Sequence, residues 1–250
     1  MTFSSARVFA LFALPLFAAC QGVEVGDSGA EDAVDAELRQ CATGPTVTGI
    51  DVSYYQGTID WSSVKRSGRA FAFVRVSDGA HFKDPKFDRN WEGVSKEGLY
   101  RGAYQYFRAS QDPIAQAELL LDEVGALGPM DLPPALDIET LDGERGSVVA
   151  SHAQAWVDHV EAALGRKPLI YIGAGFAQQM GDPASLAAAP LWVANWKAAC
   201  PRMPTAWNDK GWQFWQTRVT SGVPGVRTNV DADLFNGTVE QLAAYAGAGQ

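Results

Sequence analysis

Residues Ala70-Phe71-Ala72-Phe73-Val74-Arg75-Val76 form an apolar run broken by a single charge. A strand with one wet face alternates apolar and polar side chains, because successive residues point to opposite faces. This run is apolar on both faces, so its sheet must be covered on both sides, as parallel strands with helical crossovers are. The rest of the chain reads the same way. Further strands are expected over 47–53, 100–107, 134–139, 168–173, 191–196, 211–216 and 229–235. Helices are expected over 61–67 (Asp60 as N-cap), 85–97 (stopped by Gly98), 113–127 (opened by Pro113), 147–164 and 239–245. Over 147–164, Val149, Ala153, Trp156, Val157, Val160 and Leu164 share one face. Eight strands, the last three with little helix between them, favour a modified TIM-like α/β barrel over a doubly wound sheet. No glycine-rich phosphate loop follows the first strand, which disfavours a dinucleotide-binding sheet.

The chain ahead of residue 47 is of a different kind. Residues 1–20 carry one charge, Arg7, then an apolar run from 8 to 19 that is short for a membrane span and reads as a secretory signal. It ends Leu16-Phe17-Ala18-Ala19-Cys20, which resembles a lipobox with Cys20 as the lipidated residue, although Phe17 departs from that pattern. Ordinary cleavage near a small residue is the alternative; either route exports the protein to the bacterial cell envelope or beyond. Residues 21–46, rich in Gly, Ala, Asp and Glu, read as a flexible acidic linker, leaving 47–250 as the barrel domain. An exported compartment permits a disulfide. With Cys20 lipidated, Cys41 and Cys200 remain as the pair, two free thiols being the alternative. A net charge of −9 with no Lys/Arg cluster argues against nucleic-acid binding. His81, His152 and His159 form no H-E-x-x-H, so neither metal nor cofactor is expected.

Catalytic groups of such barrels lie at the C-terminal ends of the strands, and acids recur there: Asp51, Asp78, Asp137, Glu139, Asp231 and Asp233. The stretch Leu132-Pro133-Pro134-Ala135-Leu136-Asp137-Ile138-Glu139-Thr140 stands out. On a strand, Asp137 and Glu139 point the same way, roughly 6–7 Å apart. Carboxylates held that close raise one pKa, leaving one proton to donate and one charge to keep, which is what glycoside cleavage needs. A lone D-x-E would more simply be a solvated strand end. Here aromatic residues accompany the acids: Tyr54, Tyr104, Tyr106, Tyr171, Trp192, Trp196 and Trp215. Each alone is more often core than sugar platform; together with the acids they point to a carbohydrate cleft, with Trp196 and Tyr106 the stronger candidates.

Gly49-Ile50-Asp51-Val52-Ser53-Tyr54-Tyr55-Gln56-Gly57 resembles the opening motif of the glycoside hydrolase family 25 lysozymes, the N-acetylmuramidases. Residues 100–107 resemble that family's G-A-Y-H-[YF]-F segment, and Asp137-Ile138-Glu139 its D-x-E. Leu191-Trp192-Val193-Ala194-Asn195-Trp196, Trp215-Gln216 and Val230-Asp231-Ala232-Asp233-Leu234-Phe235 match its later strands. The resemblance runs through about 47–245 in the family's order. It implies five strand–helix units followed by three strands without helices. It also implies cleavage of the β-1,4 bond between N-acetylmuramic acid and N-acetylglucosamine in peptidoglycan. Glu139 would be the general acid. Asp137 would polarise the substrate's N-acetyl group or stabilise the oxocarbenium charge, and Asp51 and Asp231 would be supporting acids, one of them in reach of a base role. Retention or inversion depends on carboxylate separation. Tyr54, Asp78, Tyr104, Tyr106, Tyr171, Trp196 and Trp215 would bind substrate. Two positions depart from the family: Gln105 replaces its His and Asp78 a common Glu. A monomer is expected, with peptidoglycan as partner and membrane attachment through Cys20 if lipidated. The rival readings are a non-catalytic peptidoglycan-binding lipoprotein, a glycosidase for another N-acetylated glycan such as chitin, and an antibacterial effector or lysin.

Overall fold

A computed structural model of the chain describes residues 39–247; the leader, Cys20 and most of the expected linker lie outside the described residues. The strands are β1 (Thr46–Val52), β2 (Phe71–Asp78), β3 (Phe82–Lys83), β4 (Tyr100–Tyr106), β5 (Ala135–Asp137), β6 (Leu169–Gly173), β7 (Leu191–Ala194), β8 (Phe214–Thr220) and β9 (Val230–Asn236). Their order is β1-β9-β8-β7-β6-β5-β4-β2-β3, and a further β1–β2 pairing closes the barrel. β3 is a short hairpin arm on β2, outside the ring and not foreseen from the sequence. The helices are α1 (Trp61–Arg66), α2 (Phe87–Lys96), α3 (Pro113–Val124), α4 (Gly146–Leu164), α5 (Ala174–Gln179) and α6 (Val239–Gly247).

The expected α/β barrel with a helix-poor final third is the fold observed. Asp60 caps its helix as read, its Oδ1 accepting from Ser63 N at 3.2 Å, and Pro113 opens the next helix but one, which Asp112 caps. Val149, Ala153, Trp156, Val157 and Val160 of α4 are buried on one face.

One strand runs against expectation. β9 is antiparallel to both β1 and β8, while every other pairing in the ring is parallel. The cause is chain length: residues 221–229 are too few for a parallel crossover, which takes a dozen or more. The N-terminal end of β9 therefore lies at the mouth where its neighbours end. Asp231 pairs with Asp51 at that mouth, and Asp233 pairs with Gly49 one step deeper.

The inside of the barrel is filled by aromatic rings. Phe71, Phe73, Trp192, Phe214 and Phe235 are buried there, with Phe73 stacked on Trp192 at 4.3 Å between centroids and 22° between planes. Gly49 and Gly102 make room for them: a Cβ would stand 2.3 Å from Phe71 Cε2 and 2.2 Å from Phe73 Cε1 respectively. A plug this dry leaves any carboxylate above it poorly solvated from below.

A register shift on β2 between Arg75 and Ser77 inserts an extra residue. Arg75 and Asp78, three apart, would face opposite ways on a regular strand; the shift lets both face the cleft. Gln105 points the other way. Its amide donates to Ser77 Oγ at 2.7 Å and accepts from Trp156 Nε1 at 2.7 Å, between barrel and helix layer. The departure at Gln105 therefore falls on packing, not on a substrate contact.

Cys41 and Cys200 are bonded, with Cα atoms 4.6 Å apart. Gln40 N donates to Pro201 O at 3.1 Å, and Trp212 Nε1 donates to Gln40 O at 2.8 Å. Residues 39–41, inside the stretch read as linker, thus lie against the loop after β7. Both helical histidines have local partners: His152 Nδ1 meets Ala109 O, and His159 meets Glu118.

Candidate active site

A cleft of about 410 Å³ opens at the mouth of the barrel. Asp51, Asp137, Glu139 and Asp231 line it, arriving from β1, the end of β5 and β9. β5 ends at Asp137 rather than at residue 139, but Ile138 N still donates to Tyr171 O at 3.0 Å, so the chain stays extended through Glu139. The alternation that turned Ala135 and Asp137 inward therefore carries to Glu139.

Two of these acids are short of partners. Asp137 Oδ1 and Asp231 Oδ1 are buried and accept no hydrogen bond among the described residues. Asp137 is 6% exposed, whereas Glu139 is exposed at the open cleft. Asp51, also 6% exposed, accepts from Gln216 Nε2 at 2.8 Å. Gln216 is a node: its Oε1 accepts from Tyr171 Oη at 2.7 Å and from Trp196 Nε1 at 2.6 Å. One amide thus orients an acid, a phenol and the exposed Trp196 ring together.

Asp51, Asp137, Glu139 and Asp231, with Asp233 beneath them, are all shifted in one direction. Burial, then the nearby Asp231, pushes Asp51 from 3.8 up to about 7. Burial, then Glu139, pushes Asp231 up to about 6. Burial and the charges of Glu139 and Asp51 raise Asp137 well above the carboxylate range, and burial does the same to Asp233. Glu139 is raised by loss of water on its protein side, opposed by a hydrogen bond with Tyr171. Its side chain still reaches solvent, and a ligand in the cleft would remove that water too. Arg75 is the cation that counters this field at Asp137. It is buried, its Nε 3.1 Å from Asp84 Oδ2.

The aromatic residues divide. Tyr104, Tyr106, Tyr171, Trp192 and Trp196 line the cleft. Trp196 is 51% exposed at its rim. Asp78 lines it as well, held by Arg108, whose Nη2 is 2.9 Å from Asp78 Oδ2. Two expected substrate contacts lie elsewhere. Trp215 faces the outer core against Trp212 and donates Nε1 to Asn195 O at 2.8 Å. With Phe214 inward on β8, alternation turns Trp215 out and Gln216 in. Tyr54 stands behind the cleft wall, 4.2 Å from the Tyr55 ring and beneath the Arg75 guanidinium; Tyr55, 66% exposed, is the ring that lines it. The 3-10 turn Tyr54–Gln56 ends strand alternation there. Tyr55, Arg75, Arg108 and Gln216 were not anticipated as site residues. Arg75 had a visible signal, since a lone charge in an apolar strand is costly unless used.

Past Trp196 the cleft continues into a shallower hollow lined by Ile138, Gly173, Phe176, Ala194 and Asn195, sharing Glu139, Tyr171 and Trp196. The groove is therefore longer than one ring, with acids on its floor and aromatic faces at both ends.

A family model described as "Glycosyl hydrolases family 25" matches residues 50–226. An uncharacterised protein of Escherichia coli K12, YegX, is 37% identical over 210 residues, covering 80% of this chain and 73% of that protein. Lysozyme M1 of Streptomyces globisporus is 33% identical, over 80% of this chain and 71% of its own length. Among solved structures, a bacterial lysozyme from Streptomyces coelicolor superposes with a TM-score of 0.76 at 32% identity, covering 82% of this chain and 98% of that one.

Proposed function

The chain belongs to glycosyl hydrolase family 25 and is a peptidoglycan hydrolase, and we propose how its residues perform that reaction. The bond cleaved is the β-1,4 linkage from N-acetylmuramic acid to N-acetylglucosamine. The observation that carries the assignment of roles is the Asp137–Glu139 pair: one acid buried with an unpartnered oxygen, the other open to the groove with its pKa raised by desolvation.

Glu139 donates its proton to the glycosidic oxygen as the bond to the leaving sugar breaks. The positive charge that grows on the muramic ring develops beside Asp137. Asp137 Oδ1 is free to accept the N–H of the 2-acetamido group, which turns the acetyl oxygen toward the anomeric carbon. Asp51 and Asp231 hold negative potential across the floor, and the water that completes hydrolysis gives one proton to the Glu139 carboxylate, restoring it, as its oxygen bonds to the anomeric carbon. Tyr55 and Trp196 supply faces for sugars along the groove. The enzyme works outside the cytoplasm as a monomer, and lipidation at Cys20 would hold it at the envelope membrane.

The test is digestion of purified peptidoglycan and of chitin by the purified protein, with new reducing ends converted to sugar alcohols and identified by mass. Muramic acid alcohols from peptidoglycan are the expected product. Glucosamine alcohols alone, or release from chitin but not from peptidoglycan, would overturn the bond assignment. Trp196→Ala is expected to raise KM for peptidoglycan about tenfold with kcat little changed, because a stacking face worth ~1.4 kcal/mol acts on the bound sugar before and during reaction alike. Steady-state kinetics on soluble glycan fragments check this; an unchanged KM would remove Trp196 from the groove.

A further inference from the structure

One buried acid has no part in the reaction as described. Asp233, 1% exposed, sits one pair deeper than Asp231 on the inward face of β9, paired with Gly49 and Gln216. Gly49 has no side chain to separate it from Asp51, so Asp233 and Asp51 are diagonal neighbours on the inward face of the β1–β9 pair, and the Asp51 charge holds the Asp233 pKa up further. Asp233 Oδ1 accepts from Trp192 Nε1 at 3.0 Å, while Oδ2 is fully buried with no donor among the described residues. Gln216, paired with Asp233 across β8–β9, turns its Nε2 to Asp51, and neither of its N–H groups reaches Asp233 Oδ2. Two adjacent carboxylates here would leave one buried oxygen orphaned against a like charge, which is among the costliest arrangements a core can hold. A single proton removes both problems: an O–H on Asp233 Oδ2 becomes a donor, and the Asp51 carboxylate becomes its acceptor.

We propose that Asp233 is a positioning residue for the muramidase reaction, retained as a neutral acid whose O–H donates to Asp51 and holds Asp51 as an oriented carboxylate. No proton is transferred to substrate from Asp233; it stays on Oδ2 through the cycle. Asp51 then has two donors, Asp233 and Gln216, and keeps its charge amid a crowd of acids. The groups facing the pair set the pH response. Asp231 lies beside Asp51 across the β1–β9 ladder, and Glu139 adds to the negative field. Asp137 and the Tyr104 phenol also feel the Asp51 charge. Arg75 offsets the charge at Asp137 and Tyr104. None of these donates to Asp233, so the proton is the means left of satisfying Oδ2.

The proposal rests on the muramidase reading, and its test separates the two. Asn at 233 mimics a neutral acid: its carbonyl can take the Trp192 N–H and its amide can donate to Asp51. Asp233→Asn is therefore expected to keep kcat/KM on peptidoglycan within about threefold of wild type, with the acidic limb of its pH profile unmoved. Asp233→Leu, which has no donor, is expected to lose about tenfold or more and to move that limb to higher pH, as the Asp51 carboxylate is no longer stabilised. An Asn variant as impaired as the Leu variant, or an acidic limb moved equally in both, overturns the proposal. The Leu variant can fail to fold, and activity can fail for other reasons, so a spectroscopic readout is taken on the full chain. An infrared difference spectrum between wild type and Asp233→Asn at pH 7 is expected to show the C=O stretch of a protonated carboxylic acid. A carboxylate band in its place overturns the proposal whether or not the enzyme digests peptidoglycan. If that band is present and no glycan is cleaved, the muramidase reading fails and the proton assignment stands.

Discussion

Glu139→Gln is expected to lower kcat on peptidoglycan by about 10²–10⁴-fold, with KM within a factor of a few of wild type. Gln preserves the length, shape and hydrogen-bonding reach of the side chain, so substrate still seats against Tyr171 and Trp196. It has no proton to give to the leaving oxygen, and that loss is felt only in the transition state. The pH profile carries a second signature. Loss of water on its protein side raises the pKa of Glu139, so the protonated form persists to higher pH than in a free carboxyl and is lost as pH rises through the raised value. The wild-type rate should therefore fall on the alkaline side as Glu139 gives up its proton, and the residual Gln variant should lack that limb. Initial rates of reducing-end release across pH, for both proteins, check this. A Gln variant within tenfold of wild type would move the acid role to Asp137, whose own pKa is raised still further by burial and by Glu139.

The barrel was legible because its strands are apolar on both faces, and the acids were legible because strand alternation brings Asp137 and Glu139 to one side. The errors fall where alternation breaks or reverses. The direction of β9 is set by a connection too short to cross over, so Asp231 reaches the mouth from the strand's beginning and Asp233 is sunk below it. A 3-10 turn exchanges Tyr54 for Tyr55, and the inward Phe214 exchanges Trp215 for Gln216. The β2 register shift that brings Arg75 and Asp78 to one face leaves no mark in composition. Gln105 drew notice as a departure from the family's His; its outward direction, toward Trp156, is what alternation assigns to the residue between two cleft tyrosines.

The same crowding that serves catalysis makes the fold sensitive to pH, and Asp51→Asn is expected to stabilise the protein at pH 8 while impairing its activity. The folded-state pKa of Asp51 is about 7 against 3.8 when unperturbed, and that of Asp231 about 6 against the same value. Between those limits the folded protein binds more protons than the unfolded chain. Their contribution to stability is therefore complete below about pH 4 and is lost as pH rises through 6 and then 7. At ~1.4 kcal/mol per pH unit, Asp51 alone accounts for ~4 kcal/mol across that window, an upper bound because neighbouring acids share the protons. An Asn at 51 carries no charge to desolvate, so its advantage over wild type should appear above pH 7 and shrink toward pH 4. For a domain of this size that upper bound corresponds to a thermal midpoint higher by at most about 8–16 °C at pH 8. Calorimetric or circular-dichroism melts of both proteins at pH 4.5 and pH 8 measure it. Equal midpoints at pH 8 would mean that the donors to the Asp51 anion fully offset its lost hydration, and the strain assigned to the acid floor would then lie with Asp137. A stabilised but slow Asp51→Asn enzyme would instead show that the carboxylate is retained for the chemistry it performs at the expense of the fold that holds it.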